Sequence, residues 1–281
     1  MSTVVIPKDV HHFVPHKFLV QIPRIIHQTY KSFESLPPHW KEVPESWKRH
    51  NQGWTYMFWS DKACRELVKK HFPSFLQVFD SYEYPIQRAD AIRPMIMYVY
   101  GGIYCDMDML CKKPINDLFY EKSEVYLLRT PNAGIITNCC MASKPKSKFW
   151  LHVIELMKEN ITNPSSLWVG KHIFVMNTTG PILLQSAYDS YPEKTMFKFL
   201  PQSALFPEEC NVCCPKPCTT KESYVVVLEG SSWCGEDTAL FTLVYCNYGK
   251  IITLLAFLFV VFVMYKYLYI GADTDDTSSS T

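Results

Sequence analysis

The chain has 281 residues, with Lys plus Arg at 28, Asp plus Glu at 27 and a formal net charge of +1. That length supports one sizeable core, or a large domain with additions. The balanced charge leaves no net basic field for nucleic acid.

Met1 to Lys17 is polar and lacks an apolar h-region, so neither a signal peptide nor a leading anchor is expected, and residues 1–20 read as an N-terminal extension. Pro23 to Tyr30 reads as a strand centred on Ile25 and Ile26. Leu36 to Trp47 carries Pro37, Pro38 and Pro44 and reads as loop with one short helix. Trp54 to Trp59 reads as a second, aromatic-rich strand. Trp40, Trp47, Trp54 and Trp59 are expected mostly in the core, although flat aromatic faces also suit sugars and nucleobases. Asp61 is a candidate N-cap for a helix over Lys62 to His71, stopped before Pro73.

Asp90 to Tyr100 has helical apolar spacing at Ile92, Ile96 and Tyr100, with Pro94 placed in the first turn. A strand runs from the glycines that follow to Asp106, and Val125 to Leu128 is another. Helices are expected over Phe149 to Lys158 and Pro181 to Tyr188, a late strand over Val225 to Leu228, and a last short helix over Thr238 to Cys246. This alternation predicts an α/β fold, a mostly parallel sheet flanked by helices, over residues 21–248. Ile251 to Tyr265 is apolar or aromatic apart from Thr253 and resumes after Lys266, so residues 249–271 predict a membrane-spanning helix. Tyr265, Tyr267 and Tyr269 suit the interfacial belt, and residues 272–281 form a polar tail.

Cys210, Cys213, Cys214 and Cys218 cluster as C-x2-C-C-x3-C. They could bind zinc, form disulfides in an oxidising lumen, or stay reduced. Asn160-Ile-Thr162 and Asn177-Thr-Thr179 are glycosylation sequons, at a number chance supplies.

Gly101-Gly102-Ile103-Tyr104-Cys105-Asp106-Met107-Asp108 carries the chemistry. Two glycines permit close backbone approach, and a short strand then ends in two carboxylates spaced i, i+2. At a strand end both can reach one polar point beyond the sheet edge. A hard divalent cation wants such oxygens and keeps positions open for substrate phosphates. In open α/β sheets, ligands sit at that edge. Upstream, Asp90 and Arg93 share one helix face at i, i+3, either as an ion pair or as a hydroxyl acceptor and a cation for a sugar nucleotide. Neither G-x-G-x-x-G nor G-x4-G-K-[ST] occurs, which disfavours a dinucleotide dehydrogenase or a P-loop enzyme.

Three segments, Ile22 to Lys31, Tyr84 to Arg93 and Gly101 to Asp108, together resemble the DXD-motif glycosyltransferases of family 32, and most of all the catalytic subunits of inositol phosphorylceramide mannosyltransferase. Thr179-Gly180-Pro181 and Gly230-Ser231-Ser232-Trp233 are similar to two further motifs in the same order, so the resemblance runs from about Pro23 to Asp237. It implies a GT-A fold, a nucleotide-sugar donor (GDP-mannose), Mn2+ or Mg2+, and transfer with retention to a lipid or glycan acceptor. A Golgi or ER membrane location and a regulatory membrane subunit also belong to what it implies. Carried over, Asp108 ligates the metal, and Asp106 contacts the donor or the metal through water. Asp90 and Arg93 hold the donor sugar, and Tyr30 stacks on the base. His27 and Gln28 shape that pocket, unless His27 is a core histidine, while Gly102 and Tyr104 belong to the donor-binding strand. Ser232 and Trp233 close over the diphosphate. Cys234 stands where relatives often have His, and Pro94 where an aromatic commonly follows the arginine. A membrane-tethered binding subunit without turnover, or the same enzyme with a UDP-sugar, remain the alternatives.

Overall fold

The structure, a computed structural model, describes residues 22–119, 123–130, 134–164, 170–205, 213, 217–230 and 235–266. Ser232, Trp233, Cys234, Cys210, Cys214, the first 21 residues and the polar tail lie outside these, as do the expectations placed on them. The chain divides into two units, Met1–Trp233 and Cys234–Thr281.

In the first unit, β1 (Ile25–Thr29) is followed by α1 (Val43–His50), β2 (Thr55–Trp59), α2 (Asp61–His71), α3 (Leu76–Ser81) and α4 (Pro85–Tyr100). Then come β3 (Gly102–Cys105), β4 (Met109–Cys111), β5 (Val125–Arg129) and β6 (Ile136–Ser143). The unit continues through α5 (Lys148–Thr162), α6 (Lys171–Thr178), α7 (Pro181–Ser190), β7 (Phe197–Phe199), α8 (Gln202–Leu205) and β8 (Val225–Val227).

Six strands form one sheet in the order β2-β1-β3-β6-β5-β7. The β1–β2, β1–β3 and β5–β7 pairs are parallel, whereas β6 runs antiparallel to both its neighbours. The mostly parallel α/β expectation is met, with one reversed strand at the centre. Period-two alternation divides the core. Tyr104, Val125, Leu127 and Met141 face the cluster under α2 to α5 and α7, while Ile103, Cys105, Tyr126, Leu128, Cys140 and Ala142 face the cluster with Trp40 and Trp47. The glycines between α4 and β3 are both in the left-handed region, with φ +64° at Gly101 and +88° at Gly102. A Cβ on Gly101 would lie 2.7 Å from the Pro145 ring, and one on Gly102 would overlap the Ile25 carbonyl of β1. Glycine is therefore what lets the helix turn directly into the central strand.

Several element expectations need correction. α4 begins at Pro85 rather than Asp90, so Pro94 sits deep in the helix instead of in its first turn. Pro85 takes the first helical position, and the Gln87 side chain accepts from the Tyr84 N–H at 3.1 Å, which makes this the better start. Ser60, not Asp61, caps α2, because its Oγ accepts from Ala63 N. The central strand β6 and the short strand β4 have no counterpart among the expected elements, whereas β8 matches the late strand expected over Val225 to Leu228. The short helix expected at Thr238 to Cys246 is part of one continuous helix, α9 (Glu236–Tyr265), in the second unit. Gly249 does not interrupt it, and α9 is long and apolar enough to cross a membrane. Cys213, Cys218 and Cys246 are disulfide-bonded, while Cys64, Cys105, Cys111, Cys139 and Cys140 are free.

Candidate active site

A cleft of about 910 Å3 opens at the carboxyl ends of β1 and β3. The chain leaves β3 at Cys105 and turns at once, with Met109 N donating to Asp106 O at 3.1 Å. Met107 is buried in the core beneath this turn, so Asp106 and Asp108 both line the cleft. The turn is held from below by Gln28, whose amide donates to Asp106 O at 3.0 Å while its Oε1 accepts from the Tyr56 hydroxyl at 2.8 Å.

Arg93 joins the helix to the turn. Its guanidinium lies 3.0 Å from Asp90 Oδ1 and 3.1 Å from Asp106 Oδ1, and donates to Asn138 O at 3.0 Å. Asp106 Oδ1 also accepts from the Tyr104 hydroxyl at 2.8 Å. Since Tyr104 has one proton to give, Thr29 Oγ1 is the donor in its 3.0 Å bond to that hydroxyl. Asp90 lies behind Arg93. Asn138 Nδ2 donates to its Oδ1 at 3.1 Å, and Thr179 Oγ1 reaches Oδ2 at 3.5 Å. These contacts form a chain: Asn138 and Thr179 orient Asp90, Asp90 orients Arg93, and Arg93 with Tyr104 orients Asp106.

Charge here is shaped by desolvation. Burial pushes the Asp90 carboxyl up to about 6, against the pull of Arg93. Burial also raises Asp106, opposed by Arg93 and the Tyr104 bond. For Arg93, burial opposes the charge, but Asp106, Tyr104 and Asp90 outweigh it and raise the guanidinium above its usual range.

Of the residues expected at the site, Tyr30, Arg93, Tyr104, Asp106 and Asp108 line the cleft. Asp90, Gln28, His27 and Gly102 lie behind its wall. His27 is fully buried: its Nδ1 accepts from Trp59 Nε1 at 3.1 Å, so Nε2 carries the proton and donates to Gly101 O at 2.9 Å. Burial lowers its pKa to about 4, which keeps it neutral. Of the two readings of His27, the core histidine is the one its contacts describe.

Two participants escaped the sequence reading. Asn138 sits on the unanticipated β6, and Thr179 belongs to a noticed motif without an assigned role. Trp40 lines the cleft edge-on to Tyr30 at 5.5 Å, its Nε1 donating to Glu229 O at 2.9 Å. Gly230, the first residue of the C-terminal motif, packs so closely on Asp108 that a Cβ there would overlap the carboxylate. The β4–β8 pair brings them together, with Leu228 N donating to Asp108 O at 2.8 Å.

The donor set fits a hard divalent cation. Among the described residues no group of three or more His, Cys, Asp or Glu forms a protein cage. Two carboxylates on one turn in an open cleft match a cation that completes its shell with substrate oxygens.

A mostly parallel α/β sheet with two aspartates just past the end of β3, backed by a buried arginine, puts the ligand site at the carboxyl ends of the strands. The chain belongs to the DXD-motif glycosyltransferases: residues 37–124 match the family described as a glycosyltransferase sugar-binding region containing a DXD motif. It is 32% identical over 222 residues to mannosyl phosphorylinositol ceramide synthase SUR1 of Saccharomyces cerevisiae, covering 78% of this chain and 53% of that protein. It is 31% identical to inositol phosphoceramide mannosyltransferase 2 of Schizosaccharomyces pombe, covering 78% and 60%. With inositol phosphoceramide mannosyltransferase 1 of the same yeast it shares 30% over 244 residues, covering 85% and 70%. The chain thus spans roughly half to two thirds of the length of these relatives. In fold it is similar to the ligand-free glycosyltransferase domain from the YGT toxin, with a TM-score of 0.50 at 9% identity, covering 64% of this chain and 80% of that one.

Proposed function

We propose that this chain transfers mannose from GDP-mannose to an inositol phosphoceramide acceptor, with retention of anomeric configuration. The observation that carries the reading is the turn placing Asp106 and Asp108 in one cleft, with Arg93 locked against Asp106. The names of the relatives support mannose and the phosphoceramide acceptor.

Asp108, with Asp106, would hold Mn2+ or Mg2+, which when bound neutralises the charge that develops on a departing diphosphate. Arg93 adds a preorganised positive charge, fixed before substrate arrives by Asp90 and by the Asn138 carbonyl. Tyr30 and Trp40 offer aromatic surface for the nucleobase at the cleft mouth. Asp90 acts through Arg93, since its oxygens are engaged by Arg93, Asn138 and Thr179. In the transfer, the anomeric carbon–oxygen bond to the diphosphate breaks as the acceptor hydroxyl attacks from the same face. The hydroxyl proton passes to the leaving phosphate oxygen. Because the acceptor is a membrane lipid, α9 is read as the tether that keeps the catalytic unit at a Golgi or ER bilayer.

The test is a donor panel with the full chain in detergent, supplied with Mn2+ and inositol phosphoceramide. Mannose transfer from GDP-mannose is expected, with at least 100-fold loss in Asp108→Asn, the order seen on removing one stabilising group. Undiminished turnover in that variant overturns the metal reading. Transfer only from a UDP-sugar overturns the donor, and no turnover with any donor leaves a binding subunit.

A further inference from the structure

Asp108 and Gly230 do not belong to the six-stranded sheet. They flank the β4–β8 ribbon, whose strands are three residues each. A two-stranded ribbon this short has little stability of its own, so its position is set by what grips it. Among the described residues, much of that grip comes from one segment, the 3-10 turn Pro38–Trp40 followed by α1. Trp47 Nε1 donates to Met109 O at 2.7 Å, Ser46 Oγ accepts from Cys111 N at 3.0 Å, and Asn51 Oδ1 accepts from Ile115 N at 2.9 Å. These three bonds fix β4 and the chain that leaves it.

The same segment reaches past the end of β8 through two donors to one carbonyl. Trp40 Nε1 lies 2.9 Å from Glu229 O, and His39 Nε2 lies 3.1 Å from it. A carbonyl oxygen can only accept, so both rings donate. On one side of Glu229, Leu228 N donates to Asp108 O at 2.8 Å. On the other side, Gly230 packs against the Asp108 carboxylate. The stretch from Leu228 to Gly230 thus touches Asp108 at both ends, and its middle carbonyl is held by the two rings. Trp40 also borders the cleft, edge-on to Tyr30 with ring centroids 5.5 Å apart. One side chain therefore meets both the aromatic end of the cleft and the stretch that orients a metal carboxylate.

We propose that Trp40 is a positioning residue for Asp108, acting through the Glu229 carbonyl and Gly230, in addition to the aromatic surface it offers a nucleobase. This rests on the transferase reading of the acidic turn. The indole N–H holds the Leu228–Gly230 stretch against Asp108, so the carboxylate has its orientation before a cation arrives. His39 supports the same carbonyl from an exposed position.

Two substitutions separate the two roles of the indole. Trp40→Phe keeps an aromatic ring and removes the N–H. Trp40→Gln removes the ring and keeps an N–H at the same bond count from Cβ. Mn2+ affinity of the full chain in detergent is read by water proton relaxation, and GDP binding in the presence of a chelator is read by calorimetry. Trp40→Phe is expected to weaken Mn2+ about fivefold, less than the roughly 10-fold lost with a direct orienting partner, and to leave metal-free GDP binding unchanged. Trp40→Gln is expected to do the reverse, weakening GDP and leaving Mn2+ near wild type. His39→Ala, at an exposed residue, tests the same carbonyl and decides the matter if the Trp40 variants fail to fold. It should weaken Mn2+ about twofold, the low end for one hydrogen bond. Unchanged Mn2+ affinity in Trp40→Phe and His39→Ala overturns the assignment and leaves Trp40 as aromatic surface only. An equal fall of Mn2+ and GDP affinity in Trp40→Phe also overturns it, since general loosening of the fold does that. If the variants weaken Mn2+ as expected but the wild-type chain turns over no donor, the transferase reading falls and the positioning role stands. A wild-type chain that binds no Mn2+ removes both.

Discussion

Asp108 and Gly230 occupy adjoining space: the carboxylate lies where the side chain of any other residue at 230 would begin. The two are 122 positions apart, carried by β4 and β8, and the hydrogen bond from Leu228 N to Asp108 O fixes their spacing. Gly230→Ala should push the Asp108 side chain off its orientation while leaving the sheet intact. Mn2+ affinity, read by water proton relaxation, should fall about 10-fold or more, the usual cost of disturbing a group that orients a metal ligand. Unchanged affinity would show that Asp108 has room to adapt.

Tyr104→Phe removes one hydroxyl and keeps the ring in the core. Asp106 Oδ1 then loses its 2.8 Å donor, and Thr29 Oγ1 loses its acceptor. A bond to a charged group of this kind is worth about 1.5–3 kcal/mol, so a shift of the urea midpoint corresponding to that amount is expected. Transfer should fall with it, because only Arg93 then restrains Asp106. A variant with wild-type stability would mean that water replaces the hydroxyl.

Asn138 separates two kinds of damage. Its backbone carbonyl holds Arg93 whatever the side chain, but its amide donates to Asp90. Asn138→Ala loses one buried hydrogen bond, about 1–2 kcal/mol. Asn138→Asp puts a second carboxylate against Asp90, where burial already disfavours charge, and should be distinctly worse above pH 6. Denaturation at pH 7.5 and pH 5 checks this, since the gap between the variants should narrow at the lower pH. Equal gaps would remove the electrostatic explanation.

Two buried groups give stability opposite slopes between pH 4 and 6.5. The folded pKa of His27, about 4, is below its unfolded value near 6.5, so its contribution is complete above 6.5 and is lost as pH falls toward 4. Asp90 is the reverse. Its folded value, about 6, lies above the ordinary carboxylate value of 3.8, so its contribution is greatest below 3.8 and is lost as pH rises through 6. Each is worth about 3 kcal/mol across its window, so in the native chain they largely offset one another. His27→Gln should therefore gain stability relative to wild type on acidification, and Asp90→Asn should lose it. Urea denaturation at half-unit steps from pH 7 to 4.5 reads the two slopes, and parallel profiles would refute the assignment.

The Gly101–Asp108 stretch was legible because its signals are local: glycines where the backbone must be left-handed, then carboxylates at a strand end. Arg93 was legible through its i, i+3 relation to Asp90. β6 was not, because Ile-Thr-Asn-Cys-Cys-Met-Ala-Ser alternates neither apolar with polar nor bulky with small. It is a strand because β3 and β5 flank it, and with it Asn138 was lost. β4 is three residues long and exists through its pairing with β8 across more than a hundred positions. Pro94 misled the placement of α4, since proline in a helix interior usually costs about 3 kcal/mol and the buried packing of that face outweighs it here.

Cys105 and Cys140 face each other across β3 and β6, their sulfurs 3.5 Å apart and fully buried directly beneath Asp106. Burial holds the Cys105 thiol protonated, and a protonated, inaccessible thiol is a poor partner for exchange. The finished sheet thus shields the pair, but the nascent chain does not, and it carries 11 cysteines. In an oxidising compartment β6 would have to dock before an oxidant reached either sulfur, and a chain oxidised first would leave the active-site turn without its foundation.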